Sequence, residues 1–186
     1  MAHSSDVTFD EYGIRLNEDY SLNSSATSYD LDITPADNNY GGWGIITGTI
    51  SGTTDSSGIE VRCYQGNTLR PVKYRTTNSA TTGSNYSNSS NGCPMNYYNI
   101  GNLNYTSRSG ERSNFMIFFF HNNVAFREDF FYGQNHYIST SGTTHTNRFA
   151  ASVVGDSKIS KLRFQRWNGG SFVGRFMYHR IGELII

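Results

Sequence analysis

Apolar and polar residues alternate in short runs along most of this chain, and the runs end at Gly, Asn, Ser or Asp. From residue 41 onward they fall at 43–50, 59–65, 69–75, 95–100, 114–120, 125–132, 136–140, 148–154, 159–167 and 172–181. Within 59–64, Ile59, Val61 and Cys63 recur at every second position, the period of a strand with one face in a core. No stretch sustains the 3.6-residue period of an amphipathic helix. Eight to ten short strands at this spacing predict an all-β protein, an antiparallel sandwich or barrel with almost no helix.

The connections carry their own signals. Trp167-Asn168-Gly169-Gly170 contains an Asn-Gly pair, which supplies the positive φ angles of a tight turn, and predicts a hairpin between the strands on either side. Residues 53–58 and 155–157 are polar connections. The run Phe115-Met116-Ile117-Phe118-Phe119-Phe120 is apolar on both faces. One face is expected to meet an opposing sheet, and the other needs cover from an arm, a loop or a partner.

Three polar stretches, 76–91, 102–113 and 139–147, are too long for minimal hairpins and predict long loops. They are built from Asn, Ser, Thr, Gly and Tyr, a mixture that combines aromatic anchors with adaptable hydrogen-bonding groups. Aromatic faces stack on sugar rings while Asn and Ser bond the hydroxyls. Tyr86, Tyr97, Tyr98, Tyr105 and Trp167 are therefore the candidate ligand-binding residues.

Charge separates the first 40 residues from the rest. Residues 1–40 hold eight acidic residues and one basic, whereas 41–186 hold seven acidic and fourteen basic, for a formal net charge of zero. The first segment has two short strand-like pieces, 7–16 and 29–33, separated by Asn17-Glu18-Asp19 and the polar stretch 23–28. Its apolar content is too thin for an independent core, so it reads as an extended acidic arm (1–40) attached to a sandwich domain (41–186). Such an arm could lie on its own basic body or on that of a neighbouring copy. A chain of 186 residues suits one core of this kind.

Candidate chemistry is sparse. The five histidines are dispersed, without the spacing of a zinc site. Tyr29-Asp30-Leu31-Asp32 places two carboxylates on one strand face and Asp37 adds another oxygen, yet no calcium-binding loop surrounds them. Glu128 and Asp129 are adjacent on a strand and point to opposite faces, so they cannot form a facing acid pair together. No G-x-S-x-G or phosphate-binding loop occurs. Cys63 is expected in the core and Cys93 in a loop, both as free thiols. The arginines of the basic half are scattered, unlike those of a nucleic-acid-binding motif. No apolar run approaches a membrane span and no signal segment follows Met1, which predicts a soluble protein. The expectation is a non-enzymatic protein without metal or cofactor.

The order of features from Trp43 to Ile186 resembles the lectin-like β-sandwich modules of tailed-bacteriophage virion proteins. The features are an aromatic residue opening a strand (Trp43-Gly44-Ile45-Ile46-Thr47-Gly48), a strand ending in a Gly-Asn turn (residues 59–67), and a closing strand, Asn-Gly turn and aromatic strand. That last part comprises Ile159-Ser160-Lys161-Leu162-Arg163-Phe164, Asn168-Gly169-Gly170 and Gly174-Arg175-Phe176-Met177-Tyr178. The resemblance implies a jelly-roll or concanavalin-like sandwich with a structural or adhesive role, and it assigns no binding residue. It suggests a virion-surface protein, on the tail or the capsid exterior, whose partners are other virion proteins, copies of itself in a trimer, and cell-surface glycan. No shaft or heptad repeat precedes the sandwich, as a fibre would have. The alternative is a capsid decoration protein whose arm contacts neighbouring subunits.

Overall fold

The alternating runs pair into two antiparallel sheets that share one core. The computed structural model describes residues 14–33, 43–52, 58–78, 84–95, 113–121, 128–138, 144–154, 159–166 and 170–181. Its strands are β1 (Ile14–Ala26), β2 (Ser28–Asp32), β3 (Trp43–Gly52), β4 (Ile59–Gln65), β5 (Thr68–Arg70), β6 (Val72–Asn78) and β7 (Ser84–Ser90). They continue with β8 (Cys93–Pro94), β9 (Ser113–Phe120), β10 (Phe130–Ile138), β11 (Thr144–Val153), β12 (Lys161–Arg166) and β13 (Phe172–Ile181). An eight-stranded sheet has the order β1-β13-β3-β9-β10-β11-β6-β7, and a five-stranded sheet contains β2-β12-β4-β5 with β8 beside β4. This is the antiparallel sandwich expected from the alternation, with its strands divided unequally between the two sheets.

Period-two alternation decides which residues fill the space between the sheets. From the large sheet Ile46, Ile50, Phe115, Ile117, Phe119, Phe131, Phe149, Phe172 and Phe176 are buried, and from the small sheet Leu31, Ile59, Val61, Leu162 and Phe164. The sheets meet through rings: Phe164 lies 5.3 Å from Phe115 and 4.9 Å from Phe176, centroid to centroid. Burial of each such side chain stabilises by roughly 1.5–3 kcal/mol. Cys63 and Cys93 are both buried free thiols. Cys93 is in strand β8 beside Val61, where a loop was expected. Burial raises the thiol pKa of each well above its ordinary value.

The acidic N-terminal segment is not separate from the body over its described part, and the boundary at residue 40 needs correcting there. β1 pairs with β13 and β2 with β12. Leu22, Tyr29, Leu31 and Ile33 belong to the common core. Thin apolar content does not prevent this, because an edge strand needs only one buried face and borrows its partner's hydrogen bonds. The charge difference between the two parts is used inside the chain: Asp30 accepts from Arg163 Nε and Nη2 at 2.5 and 2.8 Å, and Asp19 pairs with Arg175.

A second correction concerns the turn at 167–170. β12 lies in the small sheet and β13 in the large one, so the connection crosses the sandwich and forms no hairpin. Asn-Gly chemistry specifies a tight reversal but not which sheet the next strand joins. That is fixed by neighbours: β12 is flanked by β2 and β4, and β13 by β1 and β3. The crossing is doubled, because β1 passes to β2 through Thr27 at the same edge. Arg166 N–H donates to the Thr27 carbonyl, and Arg166 Nη1 donates to the Ser171 carbonyl.

Four further expectations change. The 76–91 stretch contains strand β7, a polar edge strand that pairs with β6. Residues 144–147 belong to β11, and 125–132 and 136–140 give way to the single strand β10. Within 69–75, Pro71 separates β5 in the small sheet from β6 in the large one.

Candidate functional site

The outer face of the eight-stranded sheet holds the most unusual surface of the molecule. Alternation along β9 sends Phe115, Ile117 and Phe119 inward and Met116, Phe118 and Phe120 outward, and along β10 it sends Phe131 inward and Phe130 and Tyr132 outward. The outward side chains remain accessible: Tyr132 is 46% exposed, Phe130 41% and Met116 38%. A contiguous apolar patch of this kind on a sheet face is a candidate binding surface.

Strand register turns these residues into rungs. One rung runs Ile45, Phe118, Tyr132, Ala150 and Arg75 across β3, β9, β10, β11 and β6. The next along the strands runs Phe120, Phe130, Ser152 and Lys73, and on the opposite side of the first lie Met116, Gln134, Arg148 and Thr77. Phe118 stacks on Tyr132 at 4.9 Å and Phe120 on Phe130 at 4.6 Å, with interplanar angles of 16° and 11°. A 4.6–4.9 Å separation between cross-strand rings equals the strand spacing, so the rings stand upright, side by side. One face of Tyr132 and of Phe130 is taken by its β9 neighbour. The other looks across β11.

There β11 presents Ala150 and Ser152 as the floor, with Arg148 at one end of it. Beyond them β6 raises Lys73, Arg75 and Thr77, so a slot runs along β11 between an aromatic wall and a basic one. It comprises two adjoining concavities of about 470 and 790 Å3 that share Arg75, Tyr132 and Ala150. Gly133 sits at the base and cannot carry a side chain there. A Cβ would stand 2.4 Å from the Met116 carbonyl oxygen and 2.8 Å from the Phe149 ring. That ring, paired across from Gly133, closes the inner side of the gap.

The basic wall is not uniform. Lys73 Nζ lies 2.8 Å from Glu128 Oε1, and hydrogen bonds from Lys73 and Ser152 hold the Glu128 carboxyl below its ordinary pKa. Among the described residues no carboxylate pairs with Arg75 or Arg148.

Of the candidates read from the sequence, Tyr86 is in β7 opposite Arg75, at the end of the Tyr132 rung. Tyr97, Tyr98, Tyr105 and Trp167 lie outside the described residues. Phe118, Phe130, Tyr132, Arg75 and Arg148 were not among the candidates. Their signal was the run at 115–120, apolar on both faces and in need of cover, continued by Phe130 and Tyr132.

Other polar groups are committed to the fold. His121 Nε2 donates to the Ile33 carbonyl at 2.9 Å, and Nδ1 is 3.2 Å from Asp129 Oδ2, which also accepts from Ile159 N–H. These bonds tie the ends of β2, β9 and β10 to the start of β12. Glu128 and Asp129 do face opposite ways, one to Lys73 and one inward. Asn135 and Asn147 both donate to the Met95 carbonyl at the inner face of β10 and β11. Burial lowers the pKa of nearby His145, which stacks on Tyr137. Asp30, a possible cation ligand by sequence, is occupied by Arg163 and Lys161. Among the described residues no three His, Cys, Asp or Glu side chains converge on a metal-sized site.

No protein-family model, curated protein or solved structure matches the chain. The slot's own geometry therefore carries the functional reading.

Proposed function

We propose that this protein is a non-enzymatic recognition module on the surface of a tailed-bacteriophage particle, and that it holds cell-surface glycan along the outer face of its large sheet. The observation that carries the reading is the upright aromatic wall of Phe130 and Tyr132 facing a slot floored by Ala150 and Ser152. The apolar face of a pyranose packs flat on such a ring, and Gln134 and Thr77 at the margins supply hydroxyl partners. Single sites of this kind bind weakly, and several copies on one particle gain by avidity. The placement on a phage particle, as a trimer among other virion proteins, rests on the resemblance of residues 43–186 to lectin-like virion modules.

The reading as a capsid decoration protein relied on an arm reaching a neighbouring subunit. Residues 14–33 form edge strands that each pair on one side with the chain's own β13 or β12, and two of their carboxylates go to Arg163 and Arg175 of those strands. That observation favours adhesion. The test is binding of the purified protein to a printed array of bacterial surface glycans, repeated with Tyr132→Ala. The expected result is a set of glycans bound by the parent and lost in the variant. A blank array, or binding that ignores Tyr132, would overturn the reading.

A further inference from the structure

The geometry points to an acidic saccharide as the ligand of this slot, with its ring on Tyr132 and Phe130 and a carboxylate held between Arg75 and Arg148. This deepens the glycan reading above and rests on it. Arg75 is opposite Ala150, and Arg148 is two residues earlier on β11, opposite Thr77. The two are diagonal neighbours on adjacent strands, roughly 7–8 Å apart at the backbone, so both guanidinium groups can reach one anion above Ala150. Tyr132 stands across Ala150 from Arg75, two inter-strand spacings or about 10 Å away. A ring stacked on Tyr132 fills the near half of that gap. A substituent on its edge then lies over β11, between Arg148 on that strand and Arg75 on β6.

The chemistry of the wall selects among anions. Guanidinium groups bind carboxylates through two parallel hydrogen bonds, and here two such groups have no carboxylate partner among the described residues. Lys73, the third cation beside the slot, is already paired with Glu128. A single-stranded nucleic acid would also stack on aromatic rings, but it needs a continuous basic track for successive phosphates. Two adjacent unpaired arginines, closed off at one end by the Lys73–Glu128 pair, suit an isolated negative group. A saccharide with spaced carboxylates supplies one.

The experiment compares uronic-acid and nonulosonic-acid glycans with their carboxyl-reduced counterparts on one array, probed with the parent protein, Arg75→Gln, Arg148→Gln and Tyr132→Ala. Both arginines are exposed, so unchanged circular dichroism and thermal midpoints are expected for their variants. The parent should bind at least one acidic glycan tenfold or more tighter than its reduced form. Each arginine variant should lose that preference while keeping the weak binding of the reduced form, and Tyr132→Ala should lose both. Equal binding of acidic and reduced forms would overturn the inference and leave the glycan reading standing. Binding to no glycan would overturn both. Tight, steeply salt-dependent binding of a twelve-nucleotide oligothymidylate, displaced by Tyr132→Ala, would assign the slot to nucleic acid and overturn the inference.

Discussion

The two faces of β9 and β10 are built from the same kinds of residue and meet different fates. Inward, Phe115, Phe119 and Phe131 pack against the small sheet and lose nearly all contact with solvent. Outward, Phe118, Phe120, Phe130 and Tyr132 stack on one another and leave ring faces open. The inner set contributes to the core and accounts for the fold. The outer set adds little that Thr or Lys would not supply at those positions, so a recognition role explains its presence better than stability does.

The largest effect should follow from removing cover from the inner face. Deleting residues 14–33 takes away two edge strands and four core side chains, and the remainder is expected to lose its cooperative unfolding transition in circular dichroism. A retained transition would restore a separable arm. Next, Phe131→Ala should cost about 3–5 kcal/mol in denaturant unfolding, the range for truncating a buried aromatic. Gly133→Ala lies between the faces, and its added methyl must displace the Met116 carbonyl or the Phe149 ring. A loss of about 1–3 kcal/mol is expected, with weaker glycan binding because the slot floor shifts.

A smaller effect tests the acidic strands that close the sandwich edge. Arg163, and then Lys161, hold the Asp30 carboxyl below its ordinary pKa against an opposing effect of burial. The folded value is the lower one, so the stabilisation is present above the unfolded carboxylate value and is lost as pH falls through the folded one. Asp30→Asn should therefore cost up to about 1 kcal/mol at neutral pH, given partial solvent screening. The gap between parent and variant should narrow as pH falls below the ordinary carboxylate range. A gap unchanged at low pH would mean that the carboxylate's charge contributes nothing.

Much of this comparison was legible in the sequence, for identifiable reasons. Alternation located β4 and β13 closely, because one-sided burial leaves a period of two. The double-sided run at 115–120 announced an outer face needing a partner. β7 escaped notice because Ser84–Ser90 is polar apart from Tyr86 and carries no apolar alternation to mark it. The 167–170 connection was misread because turn residues specify local φ angles while sheet membership depends on distant neighbours. The slot itself could not be read from sequence. Its walls come together only through the register of β9, β10, β11 and β6, which places Tyr132, Ala150 and Arg75, residues distant in the chain, on one rung.

The central claim is that the outer face serves recognition and not stability. The most direct test is the Phe130→Ala/Tyr132→Ala double variant, measured for unfolding free energy and for glycan binding on the same preparation. Stability should stay within about 1–2 kcal/mol of the parent, as for partly exposed residues with one stacked neighbour each, while glycan binding is lost. A loss of several kcal/mol, or binding that survives the change, would contradict the claim.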